Sequence, residues 1–435
     1  MATAYKRIGY KLELLLRTAQ MLRESGCSTK HIMGDLRRAA SFMEIPAEDV
    51  NLHLTYSTIT INISNGEESH TRLRECGRQG TDMTIISSLS KLNWRAIQQH
   101  YTLEKYEQEL ERIGNIGRQY SKVAASLGAG CACGGFCVLF GGDWVSFFFT
   151  ALCAGLGHAL LTYCNKMEIN HYIATALAAC AATLLAYVTL LLPYSATPLY
   201  PIISSALFLV PGIPLINGLD DLFNTKLTSG TTRIIYVLLV VACMTFGIVL
   251  AMRICYVPVF TSVTIKPDAI AFSHAIAAAT AAMGFSTLFN IPPRLLAIAG
   301  LGGCISVLIR NLLMFSLHFS TVAAAFSSAT LVSILSYIVA KKCKAPPHVL
   351  IFPMVIPMIP GVLLYRFLFG LINIETLQPM ALLSALRSGV EGTLIVLAIA
   401  IGATIPELLA HRYLRKSKQR QLEELLAEAE AIEKE

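Results

Sequence analysis

The chain has 435 residues, of which 54% are hydrophobic and only 14% charged, with a mean hydropathy of +0.57. A water-soluble protein carries charge on about a quarter of its residues, so an ordinary soluble enzyme is excluded. The net charge of +7 comes without a basic stripe interleaved with aromatics, and nucleic acid is not an expected partner.

The charges are segregated. Residues 119–410 hold 13 Lys/Arg and 8 Asp/Glu, while the two flanks hold the other 22 and 20. This predicts an α-helical polytopic membrane protein. A small α+β cytoplasmic domain (1–117) precedes a first five-helix membrane repeat (118–256), a second repeat (257–412) and a charged cytoplasmic tail (413–435).

The N-terminus has no secretory signal, because Lys6, Arg7 and Lys11 are followed by only a short apolar run. Apolar residues Ile8, Leu12, Leu15, Leu16, Ala19 and Leu22 recur at helical spacing, and Gly26 stops that helix. A second amphipathic helix starts near Ser28 and uses Ile32, Leu36, Ala39 and Phe42. From Leu52 the period changes to two, through Leu54, Tyr56, Ile59, Ile61 and Ile63. Asn65-Gly66 is a hairpin signal, and Thr71 and Leu73 continue the returning strand. Helices resume over Asp82–Gln99 and Leu103–Ile113. His31, His53, His70 and His100 are scattered without ligand spacing or a paired nucleophile.

Apolar segments then run over 119–140, 143–164, 170–192, 198–219 and 230–252. A second set covers 269–289, 294–317, 319–340, 348–370 and 384–410. Most are long enough to cross a bilayer, which predicts about ten transmembrane helices. Arg112, Arg118, Lys122, Lys166, Lys226, Arg294, Lys341, Lys342, Lys344 and the tail Arg412–Arg420 fall on one side of such a topology. Arg253 and Lys266 fall on the other. The positive-inside bias therefore places both termini in the cytoplasm of a multi-pass cell-membrane protein. The Leu-Glu-rich end, 421–435, reads as a short charged helix. The twelve cysteines lie mostly in apolar segments without a paired C-x-x-C, and they read as small packing residues rather than metal ligands or disulfides.

Two stretches interrupt this pattern. Phe208-Leu-Val-Pro-Gly-Ile-Pro-Leu-Ile-Asn-Gly-Leu-Asp-Asp221 carries two prolines and two glycines inside an apolar segment, and Ile356-Pro-Met-Ile-Pro-Gly-Val-Leu-Leu-Tyr-Arg366 repeats the device. Proline removes a backbone donor and clashes with the preceding turn, so the first helix should break near Val210–Pro214. Such breaks persist at membrane depth where they are buried in protein or line a watery cavity. Pro211 or Pro214 can restart a helix as its first residue. Counted from 119 to Pro211 and from 269 to Pro360, the breaks lie 92 and 91 residues into their halves. With five spans per half, the repeats would be inverted, and paired interrupted helices point to a transporter's substrate site.

These residues resemble the threonine/serine exporter family, including its two-subunit relatives associated with succinate export. The similarity rests on Leu139-Phe-Gly-Gly-Asp143, on 211–221, on Ile291-Pro-Pro-Arg294 and Arg310, and on Phe352–Gly361 with Tyr365-Arg366. The chain looks like the two subunits fused. Where the family would place an Arg-x-Glu-type motif on the second helix, this sequence has Lys30-His-Ile-Met-Gly-Asp-Leu-Arg37, and nothing in the N-terminal residues supports the hydrolase likeness suggested for such domains.

The residues expected to bind and translocate substrate are Pro211, Gly212, Pro214, Asn217, Asp220, Asp221, Arg310, Pro360, Gly361, Tyr365 and Arg366. Arginines in the second half suit a carboxylate-bearing substrate. Asp220, Asp221 and Asn217 offer acceptors for an ammonium. His158, His274 and Glu391 are ionisable within spans and are candidates for proton coupling, although Glu391 and Arg387 also stand at i,i+4 and can pair. No metal or cofactor is expected; no H-E-x-x-H or serine-nucleophile motif at membrane depth points to an enzyme, and Gly300-Leu-Gly-Gly303 lacks the Lys-Ser/Thr of a phosphate loop.

The leading expectation is a secondary exporter of small amino acids such as threonine or serine, or of short dicarboxylates. The resemblance and the lack of an ATPase signature imply drive by the proton gradient. The expected partners are substrate, protons and the lipid bilayer, and homo-oligomerisation stays open. The alternative is a membrane-anchored sensor whose N-terminal domain binds a cytoplasmic ligand or partner.

Overall fold

Helix α1 (Ala2–Glu24) ends at Gly26, whose φ of +84° a residue with a Cβ would adopt only under strain. The chain reverses there into α2 (Thr29–Phe42), then forms β1 (Val50–Leu54), β2 (Thr58–Ser64) and β3 (Ser69–Glu75). The computed structural model describes residues 2–46, 49–55, 57–64, 68–191, 195–256, 272–343, 345–375 and 377–433. The Asn65-Gly66 turn therefore lies outside the described residues, as do Tyr56, Lys266 and Lys344. The strands flanking that turn pair antiparallel in the register Ser64↔Ser69, and the sheet order is β1-β2-β3. Strand β2 alternates half-buried with buried residues, turning Ile59, Ile61 and Ile63 onto Leu12, Leu15 and Leu16 of α1. Helices α3 (Met83–Gln98) and α4 (Leu103–Gly114) complete this N-terminal unit, with Asp82 capping α3 through the N–H of Ile85 at 3.0 Å.

The remaining helices are α5 (Lys122–Leu139), α6 (Trp144–Lys166), α7 (His171–Tyr187), α8 (Tyr200–Ser204), α9 (Gly212–Phe223) and α10 (Leu227–Ile254). They are followed by α11 (Phe272–Leu288), α12 (Leu296–Phe315), α13 (Thr321–Cys343), α14 (Pro347–Val355), α15 (Gly361–Ile372) and α16 (Pro379–Glu433). Among the described residues, seven helices are long and apolar enough to cross a membrane. Two bent helix pairs, over 200–223 and 347–372, raise that number to nine. The expected span over 269–289 begins outside the described residues, and α11 holds 17 residues of it.

One difference from expectation is at the C-terminus. Instead of a span and a separate tail helix, α16 runs continuously for 55 residues. Residues 407–433 contain neither glycine nor proline and are rich in strong helix formers, so nothing in that stretch stops the helix.

Helices α5 and α11 cross where small residues let the backbones meet. A Cβ on Gly128 would lie 1.7 Å from Thr287 Oγ1, and one on Gly284 would lie 2.4 Å from the Gly128 carbonyl. Phe136 and Phe285 meet edge-to-face beside this crossing, with ring centroids 5.8 Å apart. The same partners recur in both halves. Helix α6 joins α5 as α12 joins α11, and α10 packs on α7 and α9 as α16 packs on α13 and α15.

The N-terminal unit touches the bundle on one face. Asn290 Nδ2 donates to Asp82 at 2.7 Å, and the Asn290 carbonyl accepts from Thr84 N at 3.1 Å. Burial raises the pKa of the Asp82 carboxyl, against the opposing N–H of Ile85 and amide of Asn290. On the opposite face, Asp143 caps α6 and accepts from Ser195 Oγ and Ala196 N, while Arg253 Nη2 donates to Asn373 Oδ1 at 3.1 Å. Gly142 admits no side chain there, since its Cβ would lie 2.6 Å from Cys137 Sγ. This gives the Phe-Gly-Gly-Asp stretch a structural role as a tight corner.

Candidate functional site: two broken helices around one cavity

Both interruptions adopt the same backbone conformation. In the first, a 3-10 turn over Leu207–Leu209 leads to extended Val210 (φ −63°, ψ 118°) and to Pro211 (φ −81°, ψ 67°), after which α9 starts at Gly212. In the second, a 3-10 turn over Ile356–Met358 leads to Ile359 (φ −67°, ψ 126°) and Pro360 (φ −82°, ψ 58°), after which α15 starts at Gly361. The chain bends by 58° and 59°. Each glycine N–H turns back to the carbonyl two residues earlier, Val210 or Ile359, at 2.9 Å. Pro214 falls in the first turn of α9 rather than at the break. The N–H that it lacks would have no helical acceptor there.

The two breaks face each other. Leu207, Val210 and Gly212 from one, with Ile356, Ile359 and Gly361 from the other, line a cavity of about 20 Å³ that Phe136 and Phe285 close. A Cβ on Gly212 would stand 3.1 Å from Ile359 Cδ1, and one on Gly361 would stand 3.3 Å from Leu207 Cδ2. Neither glycine has positive φ, so each is suited to its place by close approach and not by backbone freedom. The cavity has room for about one water molecule.

The other expected site residues are spread over two faces and the wall between. His158 of α6 stands beside the first break, with Nδ1 3.0 Å from Ser126 Oγ and its ring edge-on to Phe208. Tyr365 is buried, with its hydroxyl 3.5 Å from Met252 Sδ. Arg366 is half-buried near Tyr200 and Tyr365, five residues beyond Gly361. Asn217 holds the equivalent position in the first half, five residues beyond Gly212. Arg310 donates through Nε and Nη2 to the adjacent Asn311 Oδ1, at 3.1 and 3.0 Å. His274 is buried in α11. Glu391 is half-buried and Arg387 exposed, and among the described residues no ion pair joins them.

Asn217 and Asp221 do not face the cavity as free groups. Asn217 Nδ2 donates to the Gly26 carbonyl at 2.8 Å. Asp221 accepts from Thr29 N at 3.0 Å, from Thr29 Oγ1 at 3.1 Å and from Ser229 Oγ at 2.9 Å, and lies 3.3 Å from Arg233 Nε. Arg233 Nη2 in turn donates to the Cys27 carbonyl at 2.6 Å. Asp220 accepts from Asn224 Nδ2 at 3.0 Å and finishes its own helix. Beside this network, the rings of His31 and His348 lie 4.1 Å apart, joining α2 to the start of α14. Sequence reading missed Arg233, although an arginine within an apolar span was the signal available. Thr29 and Ser229 carried no signal at all.

Two threonine/serine exporter family models match the chain, one over residues 13–255 and the other over 274–409. A threonine/serine exporter of Corynebacterium glutamicum is 23% identical over 95% of this chain and 85% of its own length. The protein named probable threonine/serine exporter in Mycobacterium tuberculosis is 21% identical over 92% of this chain and 76% of its own. The probable succinate transporter subunit YjjP of Escherichia coli is 28% identical over 48% of this chain and 80% of its own. No solved structure matches the chain.

Proposed function

Because the chain belongs to the threonine/serine exporter family, we propose that it is a secondary transporter that exports small amino acids such as threonine or serine, or short dicarboxylates, coupled to the proton gradient. The observation that carries this reading is the pair of breaks in one backbone conformation, packed against each other around a single cavity. The first N–H of each restarted helix is taken by Val210 or Ile359, but the next, of Ile213 or Val362, lies in the first turn where a helix supplies no acceptor, and such a group can hold a carboxylate without a side-chain charge. Pro211-Gly212 and Pro360-Gly361 are thus the two walls of one substrate site at the membrane midplane. With about 20 Å³ between them, the breaks are closed to substrate in this conformation. Purified protein in proteoliposomes should move threonine, serine or succinate when a proton gradient is imposed, in the direction opposite to proton flow. Absence of flux for all three would defeat the proposal.

The proposed architecture is ten spans in two inverted five-helix repeats. The matched neighbour pattern of the two halves supports it, as does the way α5 leaves and α11 approaches the face carrying the N-terminal unit. We assign that unit and both termini to the cytoplasm, a reading supported by the positive-inside bias and by Arg118, Lys166 and Lys226 on the unit's face. Single cysteines near Lys166 and Lys341, on a background without the native twelve, should resist an impermeant thiol reagent in intact cells. Labelling at either position would overturn the topology.

Arg366 is assigned to the substrate carboxylate in the second half, because a guanidinium five residues past the break can grip two oxygens at once. Arg366→Lys keeps the charge and loses the fork. It should lower transport about tenfold, with the inserted amount unchanged, by the one to two kcal/mol order of a charged hydrogen bond. Unchanged kinetics for every carboxylate tested would remove Arg366 from the site. His158, against Ser126 and Phe208 at the first break, is the leading proton carrier, with His274 and Glu391 as further candidates.

A further inference from the structure

The α1–α2 turn meets the membrane helices through a patterned set of polar contacts. Two consecutive carbonyl oxygens, of Gly26 and Cys27, face the Asn217 amide and the Arg233 guanidinium. Two residues on, the Thr29 N–H points to Asp221 Oδ1, and its hydroxyl stands 3.1 Å from both Asp221 Oδ2 and Ser229 Oγ. The receiving surface therefore offers two donors for a pair of oxygens, a carboxylate for an N–H, and a partner for a hydroxyl. Those are the complements of the carboxylate, ammonium and hydroxyl of a β-hydroxy α-amino acid.

We propose that Asn217, Asp221, Ser229 and Arg233 form a loading site for such an amino acid, and that the α1–α2 turn occupies it as an internal surrogate. Binding at this site is independent of the transporter reading, but its role as a first stop on a transport route rests on that reading. The opposite charges of Asp221 and Arg233 match a zwitterion, whereas a dicarboxylate would meet Asp221 with like charge. All four side chains are at least 98% buried while the turn covers them. Release of the turn removes the Gly26, Cys27 and Thr29 contacts while Asp221 keeps Ser229 and Arg233, and an arriving ligand replaces the lost contacts, so release and loading are coupled.

Cys27, a residue of this turn that is only 2% exposed, reports its release. Full-length protein in lipid nanodiscs is treated with a maleimide, and Cys27 labelling is followed by peptide mass with L-threonine, L-alanine or succinate added. L-Threonine should speed Cys27 labelling several-fold and succinate should not. Ser229→Ala should raise the threonine concentration needed about three- to tenfold while leaving that for alanine unchanged. Thr29→Val weakens the surrogate without touching the site, and should lower the threonine concentration needed. A purely structural contact would leave that concentration unmoved.

The two hydroxyls at Thr29 and Ser229 are 3.1 Å apart, so the pair Thr29→Cys/Ser229→Cys is placed to form a disulfide once the sulfurs close to about 2.05 Å. Oxidation should abolish the labelling response and flux that the reduced double variant still shows, the latter at the higher threonine concentration expected once the Ser229 hydroxyl is gone. Labelling of Cys27 that ignores threonine, with Thr29→Val indistinguishable from wild type, would overturn the loading site even where flux is intact. A threonine response in protein that carries no substrate would instead preserve the site and defeat the transporter reading.

Discussion

Gly212→Val and Gly361→Val should each abolish export, at least tenfold below wild type, while the protein still inserts and purifies as a single species. A Cβ at either glycine already reaches the opposing break, at 3.1 Å from Ile359 Cδ1 or 3.3 Å from Leu207 Cδ2. The two further methyls of valine must then enter a cavity of about 20 Å³. Overpacking of this kind costs about 1–3 kcal/mol, which folding tolerates, but it fills the space between the breaks that substrate would have to widen. Ile216, buried one turn farther along α9, supplies the control. Ile216→Val deletes one methyl, should cost about 0.5–1.5 kcal/mol, and should leave flux within a few-fold of wild type. Efflux of labelled substrate from proteoliposomes, normalised to protein inserted, is the measurement. Cysteines at 212 and 361 should also cross-link, with substrate changing the yield. Valine variants with normal flux, or a cysteine pair that transports yet never cross-links, would make the breaks two independent kinks.

Asp221→Ala should lower stability by about 3–5 kcal/mol, because it leaves Arg233 charged and almost fully buried without its carboxylate. The Thr29 N–H and hydroxyl lose their acceptor in the same step, so the N-terminal unit should come away from α9 and α10. Arg233→Met alone should also destabilise, by stranding Asp221. The double variant Asp221→Leu/Arg233→Met replaces a buried ion pair with apolar packing, and should recover much of the loss. Thermal unfolding in detergent across this cycle tests the claim. A single Asp221→Ala with an unchanged midpoint would show that the pair contributes nothing. The double variant separates the stranded charge from the docking of the turn, since it should regain stability while Thr29 and the Cys27 carbonyl still lack their partners, so Cys27 should label freely whether or not threonine is present.

The parts of this protein legible in its sequence are those set by short-range physics. Proline acts on its own turn, so both breaks could be placed from Pro211-Gly212 and Pro360-Gly361, and the structure puts them there. Apolar segments of bilayer length and the switch to period two at Leu52 are equally local. Contacts between distant residues have no such signature. Asn217 and Asp221 read as substrate ligands because polar groups past a break in an apolar segment ordinarily serve one. Only the folded chain brings Gly26, Cys27 and Thr29 against them, from more than 190 positions away. The same holds for the two breaks, which periodicity could pair in number but not in space. Their meeting depends on α5 and α11 crossing at Gly128 and Gly284, where the missing side chains let two backbones touch. Spacing along the chain is a property of the sequence, whereas which buried polar group finds which partner is decided by packing, because desolvation favours whatever partner the fold delivers.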